Sequence, residues 1–79
     1  MTPFSSLVRG AARESRSELA QAMIAARLDA GYTQSELAEL MFTAKSTIVR
    51  MESGKDLPTV ATLEKWAEVT GRRLQIRFI

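Results

Sequence analysis

The chain has 79 residues and contains no Cys and no His. That excludes thiolate nucleophiles, imidazole bases, disulfides and nearly every zinc site. No close pair of carboxylates falls on any face the sequence predicts, so nothing is poised for general acid–base work. The chain is read as a non-enzyme with no cofactor, no metal and no small-molecule substrate. Cations and neutral hydrogen-bond donors are left to act, and the charges are unevenly spread. Residues 42–57 carry Lys45, Arg50 and Lys55 against Glu52 and Asp56, a net +1, whereas residues 18–41 carry Arg27 against Glu18, Asp29, Glu36 and Glu39, a net −3. Residues 1–17 hold Arg9, Arg13 and Arg16 against Glu14, and residues 58–79 hold Lys65, Arg72, Arg73 and Arg77 against Glu64 and Glu68, each a net +2. A basic surface must therefore come from the middle and the ends. A total charge of +2 and a pI near 9.5 suit nucleic acid without requiring it.

A chain of this length forms one small domain and buries only roughly 60% of its unfolded surface, so association with a second copy would help it. With 46% hydrophobic and 25% charged residues, and only two Pro and four Gly, the composition is that of a globular protein. No apolar run approaches the roughly 18 residues that span a bilayer. The start, Met1-Thr2-Pro3-Phe4, lacks the charged and apolar regions of a signal peptide. A soluble cytoplasmic protein with no membrane partner is expected.

The elements that must position the cations follow from periodicity, which is helical up to residue 70. Ser17 is the expected cap of a first long helix, with Leu19, Ala20, Met23, Ile24 and Leu28 on one face and Gly31 as its stop. Thr33 caps a second, with Glu36 completing a capping box and Leu37, Leu40 and Met41 as the buried stripe. A third runs from about Ala44, turns Ile48 and Met51 inward and ends at Gly54. Thr59 caps a fourth, with Val60, Leu63, Trp66, Ala67 and Thr70 facing in. Three segments result: 1–16, an N-terminal segment or short helix; 17–71, the helical domain; and 72–79, a C-terminal strand. In the first, Arg9, Arg13 and Arg16 form one stripe, either a contact for DNA phosphates or an acidic partner, or simply a solvated face. Phe4, Leu7 and Val8 are read as a local cover for the core.

The second and third helices are spaced as a helix-turn-helix. Ala38 is small where two helices must cross closely, and Leu37 and Met41 can meet Ile48 and Met51. The outer face of the third helix is then left to enter a major groove about 12 Å wide. An ordinary helical hairpin has the same spacing. The motif Thr33-Gln34-Ser35-Glu36-Leu37-Ala38, then Ser46-Thr47-Ile48, Arg50, Glu52-Ser53-Gly54-Lys55, Pro58-Thr59 and Leu63, resembles the Cro/C1-type (XRE) helix-turn-helix domain of phage repressors and bacterial regulators. The resemblance covers residues 19–71. It implies an all-α fold, a compact lambda-repressor-like bundle of four to five helices that binds double-stranded operator DNA as a homodimer.

The resemblance also implies roles. Lys45, Ser46 and Arg50 would read base edges. Gln34, Thr47 and Lys55 would meet phosphates, and Gln34 would also brace the recognition helix. Lys45 lies in the first turn of that helix, where side chains reach deepest, and the Arg50 fork suits guanine O6 and N7. Arg27 and Glu52 fall where related domains hold a buried ion pair between the first and third helices. Three positions depart from the family pattern. Phe42 stands where a turn glycine with positive φ is usual, which predicts a turn altered by one residue with Phe42 in the core. Ala44 replaces the usual Ser or Thr cap, which predicts that Thr43 caps instead. Val49 replaces a common polar residue and suits a thymine methyl.

From Arg73 to Phe78 the period changes to alternation, the pattern of a half-buried strand with Leu74, Ile76 and Phe78 on one face. A lone strand needs a ladder partner, and the same strand of a second copy supplies one across a two-fold axis. A tail lying on the helices is the other solution. A helix-turn-helix followed at once by such a strand resembles the HigA- and HipB-type antitoxins of type II toxin–antitoxin pairs. That implies an autorepressor whose strand forms the dimer and whose remaining surface captures a cognate toxin. A stand-alone repressor and a pure protein-interaction module are the alternatives.

Overall fold

The computed structural model describes the backbone of residues 3–78 and the side chains of residues 16–78. Four helices follow in order: α1 (Pro3–Ala30), α2 (Gln34–Leu40), α3 (Lys45–Glu52) and α4 (Val60–Val69). No strand occurs among the described residues. None of the described helices is long and apolar enough to cross a membrane.

α1 runs unbroken through Ser17, so Ser17 is an exposed mid-helix residue and not the cap expected of it. An N-cap residue type starts a helix only where the preceding chain is not helical. Arg9 and Arg13, with Phe4, Leu7 and Val8, lie outside the residues whose side chains are described. Arg16 is exposed.

The caps of α2 and α4 are those the sequence predicts. Thr33 Oγ1 accepts the Glu36 N–H at 3.0 Å, and Glu36 Oε1 accepts the Thr33 N–H at 2.8 Å, a complete capping box. Thr59 Oγ1 accepts the Thr62 N–H at 3.1 Å. α3 packs against both α2 and α1. Their contact, closed over by α4, holds one core of Met23, Leu37, Ala38, Ile48, Met51 and Trp66. Leu37 and Ile48 are fully buried, and Ala38, at 3% exposure, lets the backbones of α2 and α3 approach. α4 is pinned to α1 by the Trp66 indole, which donates to the Met23 carbonyl at 3.0 Å. Thr70 is buried with its hydroxyl on the Trp66 carbonyl at 2.7 Å.

Leu28, Leu40 and Val60, expected to face inward, are 60%, 41% and 53% exposed. All three sit in a terminal turn of their helix, where the apolar stripe has run past the neighbouring elements. Residues 72–78 are exposed and lie in no regular element. Leu74 is 36% exposed and lines, with Leu19, Ala26, Leu63 and Trp66, a hollow of about 210 Å³ between α1 and α4. Ile76 and Phe78 are 56% and 103% exposed. Arg72 is tied to Asp29 of α1 by a salt bridge.

Candidate nucleic-acid interface

The orientation of α3 is set by one charged cluster beneath it. Arg27 of α1 grips Glu52 of α3 through one bidentate contact along the Nε side of its guanidinium: Nε donates to Oε2 at 2.7 Å and Nη2 to Oε1 at 3.0 Å. Its third nitrogen, Nη1, donates to the Tyr32 carbonyl at 2.9 Å in the loop before α2. The two side chains are only 11% and 5% exposed. Gln34, the first residue of α2, donates from Nε2 to Glu52 Oε1 at 3.0 Å. Glu52 thus accepts from α1 and α2 together, and no buried side-chain N or O among the described residues lacks a partner. Burial sharpens the geometry of such a cluster, because any displaced donor would leave a charge uncompensated.

The opposite face of α3 is open. Ile48, Met51 and Glu52 point inward, whereas Lys45, Ser46, Val49 and Arg50 are exposed on one side. Their spacing, i, i+1, i+4 and i+5, makes a single face of an α-helix. Thr47 lies half-buried at its edge, and Lys55 is exposed just past Gly54. Lys45, Ser46 and Arg50 therefore share a surface. The Gln34 amide is engaged with Glu52.

The turn that aims α3 is unusual at Phe42. The Thr43 N–H reaches the Ala38 carbonyl at 2.9 Å and the Phe42 N–H the Glu39 carbonyl at 3.2 Å, the paired bonds of a Schellman stop. The same pairing closes α3 at Gly54 and α4 at Gly71. In each the residue after the cap takes positive φ, but here it is Phe, at φ 55°. Phe42 is also 90% exposed. The turn therefore keeps its ordinary length, and Phe42 is not a core residue: the position projects outward from a left-handed backbone that a bulky side chain adopts only with strain. Thr43 does not cap α3 either. Ala44 occupies the N-cap with φ −83° and ψ 149°, and no side chain bonds the first turn.

Arg50 has a partner that the sequence did not announce. Its Nε donates to Asp56 Oδ2 at 2.7 Å and its Nη2 to Asp56 Oδ1 at 3.0 Å. That hydrogen bonding, and then the charge of Asp56, raises the Arg50 pKa above its ordinary value. In turn the Arg50 bond holds the Asp56 carboxyl below the usual carboxylate range. A depressed carboxylate stays ionised through neutral pH, and the charge on Asp56 that supports this contact is lost as pH falls through its lowered value. The one available sequence signal was an acid six residues after Arg50, beyond a glycine stop.

Residues 23–76 match the helix-turn-helix family. No curated protein matches the chain. No solved structure matches it either.

Proposed function

The chain belongs to the Cro/C1-type helix-turn-helix family and is a DNA-binding transcriptional regulator; on that premise we propose that it is the antitoxin of a type II toxin–antitoxin pair, a homodimer that represses its own operon. In this reading Lys45, Ser46 and Arg50 meet base edges in the major groove, because they share the exposed face of a helix whose other side is locked into the core. Thr47 and Lys55, at the flanks of that face, meet phosphates. Gln34 meets a phosphate while its bond to Glu52 holds α2 and α3 in register. Non-catalytic action in the cytoplasm completes the proposal.

The antitoxin role rests on one observation: the apolar alternation of Leu74, Ile76 and Phe78 shortly after α4, on a segment that has no ladder partner within the described chain. Unpaired backbone and an apolar edge favour pairing with the identical segment of a second copy. The test is co-expression with the product of the adjacent reading frame. An antitoxin co-purifies with it as a stable complex and relieves its toxicity. A stand-alone repressor binds its operator yet leaves that product free and its toxicity undiminished, and this result rejects the antitoxin reading.

A further inference from the structure

Arg50 is held from two directions. Its backbone carbonyl accepts the Ser53 hydroxyl at 2.9 Å, the Lys55 N–H at 3.0 Å and the Asp56 N–H at 3.3 Å. The loop after α3 is therefore folded around the main chain of Arg50, and that folding delivers the Asp56 carboxylate to the side chain of the same residue. Both members are substantially exposed, at 56% and 44%. A pair so open to solvent contributes little to folding. Its geometry, however, is specific.

A guanidinium has two edges that can each make a bidentate contact: the side-on edge, Nε with Nη2, and the end-on edge, Nη1 with Nη2. Asp56 takes the side-on edge. The end-on edge keeps Nη1 and the second hydrogen of Nη2. Those two donors match the paired acceptors O6 and N7 that guanine presents in the major groove. A phosphate has no such requirement, since any edge of a free guanidinium serves it.

We propose that Asp56 is a positioning residue for base recognition, gripping the side-on edge of Arg50 so that its end-on edge meets the O6 and N7 of one guanine. The same carboxylate weakens the attraction of Arg50 for phosphate, so Asp56 trades sequence-blind affinity for discrimination. This rests on the reading of α3 as the helix that enters the groove, and it adds to that reading a residue outside the helix.

The experiment uses the full chain and duplexes in which each base pair of the selected half-site is changed in turn, with binding followed by fluorescence anisotropy. The Arg50 base pair is the one whose guanine preference disappears in Arg50→Ala. At that pair Asp56→Ala is expected to reduce the guanine preference at least about fivefold. Binding to unrelated duplex should tighten, with a salt dependence steeper by about one counterion. In an Arg50→Ala background, Asp56→Ala should leave the base preference at that pair unaltered. If Asp56→Ala tightens operator and unrelated duplex equally and keeps the guanine preference, Asp56 is only a local negative charge and the positioning role is overturned. That failure is separable from failure of the underlying reading, in which the unmodified protein prefers no duplex or Arg50→Ala alters no base preference.

Discussion

Glu52 is the residue on which the orientation of α3 depends. It is 8% exposed and accepts from Arg27 and Gln34, so its removal strands a guanidinium that is already shielded from water. Glu52→Ala is expected to lower unfolding free energy by about 3–5 kcal/mol, measured by urea denaturation. The role of Arg27 and Glu52 was legible in the sequence through the family resemblance, because a buried pair needs both residue types at fixed positions. The bond from Gln34 was not, since an amide at a helix start has many possible partners. Phe42 shows the reverse case. The resemblance marked position 42 as one of positive φ, but the sequence predicted a turn altered by one residue with Phe42 in the core, because a Phe is ordinarily placed there to gain burial. The turn keeps its length and Phe42 takes the positive φ. Here the two Schellman bonds outweigh that gain, and the side chain stands in solvent. Phe42→Gly should therefore stabilise the fold by about 1 kcal/mol, visible as a raised urea midpoint with an unchanged slope. A lowered midpoint would mean that the exposed ring makes contacts that outweigh the strain.

At the scale of elements, helix ends were legible and helix faces partly so. Gly31, Gly54 and Gly71 take positive φ at helix stops, and Thr33 and Thr59 cap as their residue types dictate. The start of α1 was obscured because Ser17 is a good cap that the helix simply passes through. Leu28, Leu40 and Val60 continue the apolar stripe into terminal turns that no neighbour covers. α3 is the element where these matters bear on function. Eight residues long, it has no side-chain cap at Ala44, so its position is set from its C-terminal half by Glu52 and by the loop bonds to Arg50. Its outer face is then a rigid display of Lys45, Ser46, Val49 and Arg50. Lys45→Ala or Arg50→Ala should weaken operator binding about tenfold and relax base preference while leaving circular dichroism and the unfolding midpoint unchanged. Equal binding by both variants would remove them from the readout surface.

The whole molecule carries a faint net charge of +2 on a small core. Charge this modest is workable for DNA because the acids concentrate in residues 18–41, whereas Lys45, Arg50 and Lys55 stand on or beside the exposed side of α3. Pairing through residues 72–79 would double that surface and cover Ile76 and Phe78, which solvent now reaches. The expected strand rested only on an alternation, and residues 72–78 form no strand in the described chain. A single chain supplies no ladder partner, so the segment takes no regular structure by itself, and Leu74 rests over the hollow between α1 and α4. Deleting residues 72–79 should convert a dimer to a monomer in sedimentation and weaken operator binding, because each half-site is then held singly. A truncated protein that still sediments as a tight dimer would place the interface elsewhere.

Selection of duplexes from a random library by the full-length protein, followed by binding of the winners to Lys45→Ala and Arg50→Ala, tests recognition through α3 most directly. The expected result is a palindromic site with half-sites about 34–36 Å apart, one helical turn, whose preference is lost in both variants. Enrichment of no sequence, or of a site both variants bind as the unmodified protein does, would contradict it.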